Sequence, residues 1–226
     1  MQITERIKVT NEDNMKLMAR YPDKYFDLAI VDPPYGADDA IGLVDNKKKG
    51  KQATKRKEYA LFDNKAPENE YFHELVRISK NQIVWGGNYL GLCGGVIVWN
   101  KNGTAFGEGE VAICSTHKSV QIFEYTWNGM LQGDMKNKEV RIHPTQKPAS
   151  LYKWILEKYS KPNFKIIDTH FGSGSIAIGF EEMLKYWNSQ GLDIDGAELV
   201  ACELDEEYFN ASVKRIQNHI SQLSLC

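Results

Sequence analysis

Short apolar segments alternate with polar ones along this chain, and the alternation predicts a sheet with helices packed against it. The apolar run from Phe26 to Val31 predicts a buried strand. Residues 11–20 before it predict a short helix, and residues 68–79 suit another. Strands and helices that alternate in this way predict an α/β fold with a mostly parallel central sheet and helices on both faces.

The same alternation continues to the end of the chain. Further strands are predicted at 82–85, 96–99, 110–114, 119–126, 164–167 and 198–202, and further helices at 147–159, 175–187 and 206–223. Between these elements, residues 37–67 are polar and predict a long loop, which in a compact protein is usually functional or disordered. The chain is therefore predicted to be a single domain, 1–226, with a basic loop at 37–67 and a small irregular insertion at about 101–141.

Length and composition place the chain among ordinary globular proteins. Its 226 residues suffice for one domain with a buried core. The amino terminus is polar and no apolar run reaches the roughly 18 residues of a membrane span, so we expect an intracellular protein that does not enter membranes. Its cysteines are scattered without paired spacing, which indicates neither a zinc site nor a disulfide framework. They are Cys93, Cys114, Cys202 and Cys226.

Charge is unevenly distributed, although the net charge is only −2. Residues 47–57 contain seven positive charges and no acid, whereas residues 181–207 contain nine acids and one lysine. A solvated loop would explain the basic run, but the run also suits contacts with phosphates, which tolerate flexibility. Its members are Lys47, Lys48, Lys49, Lys51, Lys55, Arg56 and Lys57.

The segment Asp32-Pro33-Pro34-Tyr35 directly follows the predicted Phe26 to Val31 strand. The two prolines stiffen the backbone and leave carbonyls without neighbouring donors. The Asp32 carboxylate and a proline carbonyl could therefore accept the two N–H groups of a nucleobase amine, with Tyr35 stacked on the ring. The alternative is a strand that ends in an ordinary proline turn with a surface aspartate.

Residues Asp168 to Ser175 lie between a predicted strand and a predicted helix. Gly172 and Gly174 let the backbone approach a ligand, and the amides at the helix start are unsatisfied donors. The next predicted strand ends at Glu203, which is placed to accept both hydroxyls of a ribose. Because no Lys-Ser/Thr pair follows the glycines, an adenosine with an amino-acid carboxylate suits this turn better than a phosphate.

Four segments together resemble the DNA amino-methyltransferases that use S-adenosylmethionine. They are Asp32 to Tyr35, His143 to Pro148, Asp168 to Ser175 and Cys202 to Phe209. Their order resembles the permuted β class and implies a circularly permuted, Rossmann-like methyltransferase fold. The segment Ser79 to Tyr89 is similar to that of small phage-type adenine methylases.

The resemblance implies roles for the matching residues. The catalytic set is Asp32, Pro33, Pro34 and Tyr35. The cofactor set is Asp13, Thr145, Lys147, Asp168, Phe171, Gly172, Ser173, Gly174, Ser175 and Glu203, and no metal is expected. Phe106 is the predicted aromatic partner of a flipped base, with a core or loop aromatic as the alternative. His143 is equally consistent with a turn-stabilising histidine.

An aspartate at the first position of the catalytic segment favours adenine N6 as the target amine. The implied partner is double-stranded DNA, with residues 101–141 as the target-recognition insertion and a homodimer compatible with the family. The implied setting is the cytoplasm of a bacterium, as part of a restriction-modification pair or as a phage or prophage orphan enzyme. Methylation of cytosine N4, of RNA or of a protein amide, and a non-catalytic DNA-binding module, are the alternatives.

Deletion of residues 47–57 is expected to weaken DNA binding and to reduce its salt dependence, because fewer phosphates would be neutralised. The measurement is the slope of the logarithm of the DNA association constant against the logarithm of salt concentration. An unchanged slope would show that the basic run does not contact the duplex.

Overall fold

The computed structural model describes residues 1–36, 65–103, 107–127 and 131–223. Within these ranges the chain forms one eight-stranded sheet with helices on both faces. The strands are β1 (Ile7–Asn11), β2 (Phe26–Val31), β3 (Ser79–Trp85), β4 (Gly95–Asn100), β5 (Gly109–Cys114), β6 (Val120–Glu124), β7 (Lys165–Asp168) and β8 (Glu198–Glu203). The helices are α1 (Asn14–Met18), α2 (Asn69–Ile78), α3 (Ala149–Tyr159), α4 (Ser175–Ser189) and α5 (Glu206–Leu223).

The order of strands across the sheet is β1-β8-β7-β2-β3-β5-β4-β6. All pairs from β1 to β3 are parallel, β5 is antiparallel to both β3 and β4, and β6 is again parallel to β4. The predicted α/β class with a mostly parallel sheet is therefore confirmed. The predicted circular permutation stays a prediction.

Strand β2 lies in the middle of the sheet and is buried on both faces. Leu28 and Ile30 belong to one core cluster, which the helices α3, α4 and α5 cover. Ala29 and Val31 point to the other face and pack beneath α1 and α2. A parallel strand covered on both faces is expected to be a nearly continuous apolar run, which is the pattern by which β2 is recognised in the sequence.

The amino-terminal prediction is partly wrong. The sequence pattern predicts helix over residues 11–20, but Asn11 ends the edge strand β1 and only Asn14–Met18 are helical. The boundary follows from Asp13, whose carboxylate accepts a hydrogen bond from the Lys16 N–H and so begins the helix shortly after the strand. Strand β1 gives a weak sequence signal because it is five residues long and only Ile7 and Val9 are buried.

The predicted insertion at about 101–141 overlaps the sheet. Residues 109–114 and 120–124 within that range are the strands β5 and β6. The predicted loop 37–67 is described only from residue 65 onward. No helix among the described residues is long and apolar enough to cross a membrane.

Replacement of Gly179 by alanine is expected to destabilise the protein by about 1–3 kcal/mol, although alanine is the better helix former. Helices α3 and α4 pack so closely that a Cβ atom at Gly179 would lie 2.9 Å from the backbone nitrogen of Lys153 and 3.1 Å from the Ala149 carbonyl oxygen. The measurement is the free energy of unfolding in urea. Asn188→Ala, at an exposed position of α4, is the control and should change stability by less than about 0.5 kcal/mol.

Candidate active site

The candidate site lies between β7 and β2. At this point in the sheet, the connections that lead from one strand to the next change direction. Strand β2 leads through α2 to β3 on one side, whereas β7 leads through α4 to β8 on the other. Such a reversal opens a crevice beyond the carboxyl ends of the two strands between which it occurs, here β7 and β2. Asp168 ends β7 and Asp32 directly follows β2, so both carboxylates are placed at this crevice.

The Asp32 carboxylate is held on both of its oxygens. The Tyr35 hydroxyl donates a hydrogen bond to Oδ1 at 2.5 Å, and the Lys147 ammonium forms an ion pair with Oδ2. Only 14% of the Asp32 side chain is exposed to solvent. The carboxylate is thus an oriented acceptor at the rim of the crevice and not a freely rotating surface group.

The Tyr35 ring is packed into place by the chain that follows β3. It stacks on Tyr89 with ring centroids 5.6 Å apart, and it covers Gly86 so closely that a Cβ atom there would lie 2.0 Å from Tyr35 Cε1. Gly86 also has a φ of +66°, so glycine is required on both grounds. Burial raises the pKa of the Tyr35 hydroxyl, with Asp32 adding to the effect, so Tyr35 remains a neutral donor to Asp32.

Lys147 is buried at the centre of a charged cluster. Its ammonium contacts Asp32 and lies 3.0 Å from Glu110 Oε2 on β5, with the Trp85 ring 5.1 Å away. Burial opposes the charge on Lys147, but the two carboxylates outweigh it and raise the pKa of the ammonium. Burial likewise opposes ionisation of Glu110, yet Lys147 and Lys101 lower its pKa to about 2. Lys147 and Glu110 therefore both carry charge at neutral pH.

The turn after β7 provides a second half-site. Gly172 and Gly174 have φ angles of +51° and +71° and form a compact turn directly before α4. The first amides of a helix have no partner within it and can bind a ligand. Phe171 is buried, and its N–H donates to the Cys202 carbonyl at 3.0 Å. Ser173 and Ser175 are buried and their hydroxyls are 3.0 Å apart.

Glu203, at the end of β8, faces this turn. Its carboxylate accepts hydrogen bonds from the Gly172 N–H at 2.7 Å and from the Asp205 N–H at 3.0 Å. Burial raises the pKa of Glu203, while these backbone donors lower it. Each oxygen accepts one such bond and retains acceptor capacity, so the carboxylate suits a pair of ligand hydroxyls.

Asp168 is a buried carboxylate that forms no ion pair within the described part of the chain. Its Oδ1 accepts a hydrogen bond from the His170 N–H at 2.9 Å. Burial raises its pKa to about 8 in spite of that bond, and Asp32 and Glu203 add to the effect. A bound ligand with an ammonium group would supply a cation to pair with Asp168. Together with Glu203, the half-site therefore fits a ligand that has both an ammonium group and a ribose.

Asp13 and His170 lie beside this half-site. Asp13 caps α1, and the next residue, Asn14, contacts His170 Nε2 at 3.1 Å. Burial lowers the pKa of His170 to about 4, so the imidazole is neutral. Asp13 is thus placed near the turn, as the sequence prediction of a cofactor role requires, and that role stays a prediction.

The segment His143 to Lys147 passes over the glycine turn. The His143 ring lies 3.6 Å from where a Gly172 Cβ would be, and it packs against Tyr208 with centroids 4.4 Å apart. His143 also stabilises its own turn, since Thr145 Oγ1 is 3.1 Å from Nδ1. These contacts agree with the turn-stabilising interpretation of His143 that the sequence allows. Burial lowers its pKa to about 4, and Lys147 contributes to this.

Some predicted residues cannot be placed, and some residues of the site are not predicted by the sequence. The basic run 47–57 and Phe106 lie outside the described residues. The structure brings Lys147 to Asp32, whereas the resemblance assigns it to the cofactor. The site also contains Trp85, Tyr89, Lys101 and Glu110, to which no sequence motif assigns a role. Of these four residues, only Glu110 gives a signal in the sequence, because it is the single acid in an otherwise apolar strand.

Comparison with known proteins identifies the family of this chain. A profile of the DNA methylase family, which covers N6- and N4-amino-methyltransferases, matches residues 46–214. The chain belongs to this family. The matched region begins after Asp32, so the contacts of Asp32 are evidence independent of the match. A search of curated proteins finds no match to this methylase.

Solved structures share the methylase's fold at low sequence identity. The M1.HpyAVI–SAM complex matches with a TM-score of 0.53 and 16% identity over 92% of this chain and 99% of that chain. The cytosine-N4-specific PvuII DNA methyltransferase matches with a TM-score of 0.57 and 12% identity over 96% and 93%. The protein TTHA0409 from Thermus thermophilus, complexed with S-adenosyl-L-methionine, matches with a TM-score of 0.51 and 14% identity over 96% and 95%. The predicted methyltransferase fold is therefore confirmed.

Replacement of Asp168 by asparagine is expected to stabilise the methylase in the absence of cofactor, and increasingly so as pH rises from about 4 to about 8. The folded-state pKa of about 8 lies above that of an exposed aspartate, so ionisation favours the unfolded wild-type chain across that interval. The asparagine has no proton to lose and keeps an oxygen for the His170 N–H. The measurement is the free energy of unfolding of both proteins as a function of pH.

Asp193→Asn is the matched control for that experiment. Asp193 accepts the same kind of hydrogen bond, from the N–H two residues later at 2.9 Å, but it is exposed. Its substitution should leave the pH dependence of stability unchanged. A wild-type protein whose stability rises steadily over the same interval, in parallel with that of Asp168→Asn, would contradict the prediction.

Proposed function

We propose that this DNA methylase transfers a methyl group from S-adenosylmethionine to the N6 amine of adenine in double-stranded DNA. The observation that carries the proposal is the Asp32 carboxylate, an oriented acceptor at the sheet's switch point beside the glycine turn of β7. Family membership supplies the reaction class, and the placement of Asp32 supplies a binding group for an exocyclic amine.

The residues after β7 and β8 would hold the cofactor. Asp168 suits the ammonium group of its methionine end, and Glu203 suits its ribose hydroxyls. Gly172 and Gly174 allow the backbone to approach it closely. When bound, S-adenosylmethionine supplies an electrophilic methyl group on sulfur.

Asp32 and the Pro33 carbonyl act on the target amine. Pro33 and Pro34 have no N–H, so this stretch of backbone presents acceptors only. The amine's two hydrogens can be accepted by the Asp32 carboxylate and the Pro33 carbonyl. These bonds favour a pyramidal nitrogen, in which the lone pair is no longer delocalised into the ring and can form the new bond. The methylated nitrogen carries a positive charge and is acidic, so it can release its proton to solvent after the transfer, and Asp32 need not remove one beforehand.

An amine inside a duplex cannot reach Asp32 while its base is paired. The base must be extruded, at a cost of a few kcal/mol for unstacking and unpairing. The Tyr35 ring stacks on Tyr89, and Tyr35 also contacts Asp32, so these two rings form an aromatic wall beside the carboxylate. We assign this wall to the stacking of the extruded base, and the basic run 47–57 to the phosphates of the duplex.

Residues 125–141 are proposed to contribute to recognition of the target sequence. Beyond the strand β6, this part of the chain is held by Gln132 and Glu139, which exchange two hydrogen bonds of 2.8 Å through the Gln132 side chain and the Glu139 backbone. The side chains of Leu131, Met135 and Val140 on this segment are exposed, and exposed apolar side chains suit contacts with a partner.

Methylation of cytosine N4 is the second candidate. The specific observation in its favour is the fold similarity to the PvuII enzyme, which is itself cytosine-N4-specific. The aspartate at position 32, in place of a serine, favours adenine. Both bases present an exocyclic amine with two N–H donors, so Asp32 and Pro33 could bind either one.

DNA incubated with the wild-type protein and S-adenosylmethionine, then digested to nucleosides, is expected to contain N6-methyladenine. Asp32→Ala should lower the rate of methylation by at least about 100-fold, because the amine loses its oriented acceptor. Its affinity for S-adenosylmethionine should stay within a few fold of wild type. Mass spectrometry of the nucleosides and calorimetric titration of the cofactor provide the two measurements.

Asp27→Ala is the matched control, since Asp27 lies at the opposite end of the same strand and pairs with Lys80. It should retain wild-type activity per folded molecule. N4-methylcytosine among the nucleosides would replace the adenine assignment with the second candidate. An Asp32→Ala variant with the wild-type rate would show that the amine is bound elsewhere.

A further inference from the structure

Four charged residues of alternating sign connect Asp32 to the loop that follows β4. Asp32 pairs with Lys147, Lys147 with Glu110, and Glu110 with Lys101. The Lys147 to Glu110 distance is 3.0 Å and the Lys101 to Glu110 distance is 2.5 Å. The side chains of this charge ladder are between 2% and 30% exposed, so solvent screens its interactions only in part.

We propose that Lys147 is a positioning residue for methyl transfer, which orients and charge-balances the Asp32 carboxylate, and that Glu110 holds Lys147 in that place. The proposal rests on the proposed function and adds two residues to it. It differs from the role implied by the family resemblance, which assigns Lys147 to the methionine end of the cofactor.

The contacts of Lys147 support this assignment. Its ammonium has two carboxylate partners, Asp32 and Glu110, and the face of Trp85 lies 5.1 Å away. The Lys147 side chain is only 2% exposed, so its position is determined by these neighbours and not by solvent. A buried ammonium without such partners would be strongly unfavourable.

The ladder also suits the chemistry assigned to Asp32. A carboxylate that is paired with an ammonium is held in one orientation by a charge-assisted hydrogen bond. It can still accept hydrogen bonds, because each carboxylate oxygen has more than one acceptor site. Lys147 therefore leaves Asp32 an oriented acceptor, which is what the target amine needs.

The test compares two substitutions in the full-length protein. Lys147→Met removes a positive charge from the ladder, and Glu110→Gln removes a negative one. For Lys147→Met, kcat for DNA methylation is expected to fall by about 100-fold near neutral pH. KM for DNA and for S-adenosylmethionine should stay within a few fold of wild type, because in this role Lys147 acts only on the acceptor of the bound amine. Glu110→Gln should lower kcat by less, because Lys147 still pairs with Asp32.

Cofactor affinity separates this role from the one implied by the resemblance. If Lys147 serves Asp32, calorimetric titration of Lys147→Met with S-adenosylmethionine should give an affinity within a few fold of wild type. A large loss of cofactor affinity with the wild-type kcat at saturating cofactor would overturn the proposal and assign Lys147 to the cofactor. Lys153→Met, on the surface pair with Glu182, is the control for the substitution itself and should leave kcat and affinity unchanged.

The double variant Lys147→Met/Glu110→Gln is included because it removes one charge of each sign and leaves the net charge of the ladder unchanged. It should fold if the single lysine variant does not, and it should show a similar loss of kcat with the cofactor affinity retained. A lysine variant or double variant with the wild-type kcat would overturn the proposal. Failure of the wild-type protein to methylate any DNA would instead contradict the proposed function.

Discussion

The divergence of the chain connections between β7 and β2 is the constraint on which the site depends. Because β2 continues toward β3 and β7 continues toward β8, the described helices of these two connections leave the gap between the strands in opposite directions. Two carboxylates that are 136 positions apart in the sequence, Asp32 and Asp168, are thereby brought to neighbouring strand ends. The glycine turn and the rigid Asp-Pro-Pro-Tyr segment can then face one crevice without any further domain.

The two carboxylates are both largely buried but have different partners, and this difference distinguishes their roles. Asp32 is compensated inside the protein, by the Lys147 ammonium and the Tyr35 hydroxyl. Asp168 has a backbone donor but no ion pair within the described chain, and burial raises its pKa to about 8. A compensated carboxylate is suited to accept hydrogen bonds from a neutral amine. An uncompensated one is suited to a ligand that brings its own positive charge, and binding of such a ligand removes an unfavourable burial energy.

A feature of this structure can be predicted from the sequence when the residues that mark it are adjacent in the chain. Strand β2 is predictable because its apolar run directly precedes a motif, and the glycine turn because its glycines directly precede a helix. Glu203 is predictable because it ends an apolar run. Strand β1 is not, because an edge strand with two buried residues has little periodicity. The Lys147–Glu110 contact cannot be predicted either, since it requires β5 to lie antiparallel beside β3, and the placement of a reversed strand depends on the whole sheet.

A second buried ion pair joins the two half-sites on the side of α3 and α5. Arg215 on α5 pairs with Glu139 and also donates to the Ser173 carbonyl in the glycine turn at 2.8 Å. Glu139 accepts the Ala149 N–H at the start of α3, at 3.0 Å. Since Ala149 closely follows Lys147 in the sequence, one pair of charges connects the glycine turn to the segment that carries Lys147. The position of Lys147 relative to the glycine turn therefore depends on this ion pair as well as on the sheet.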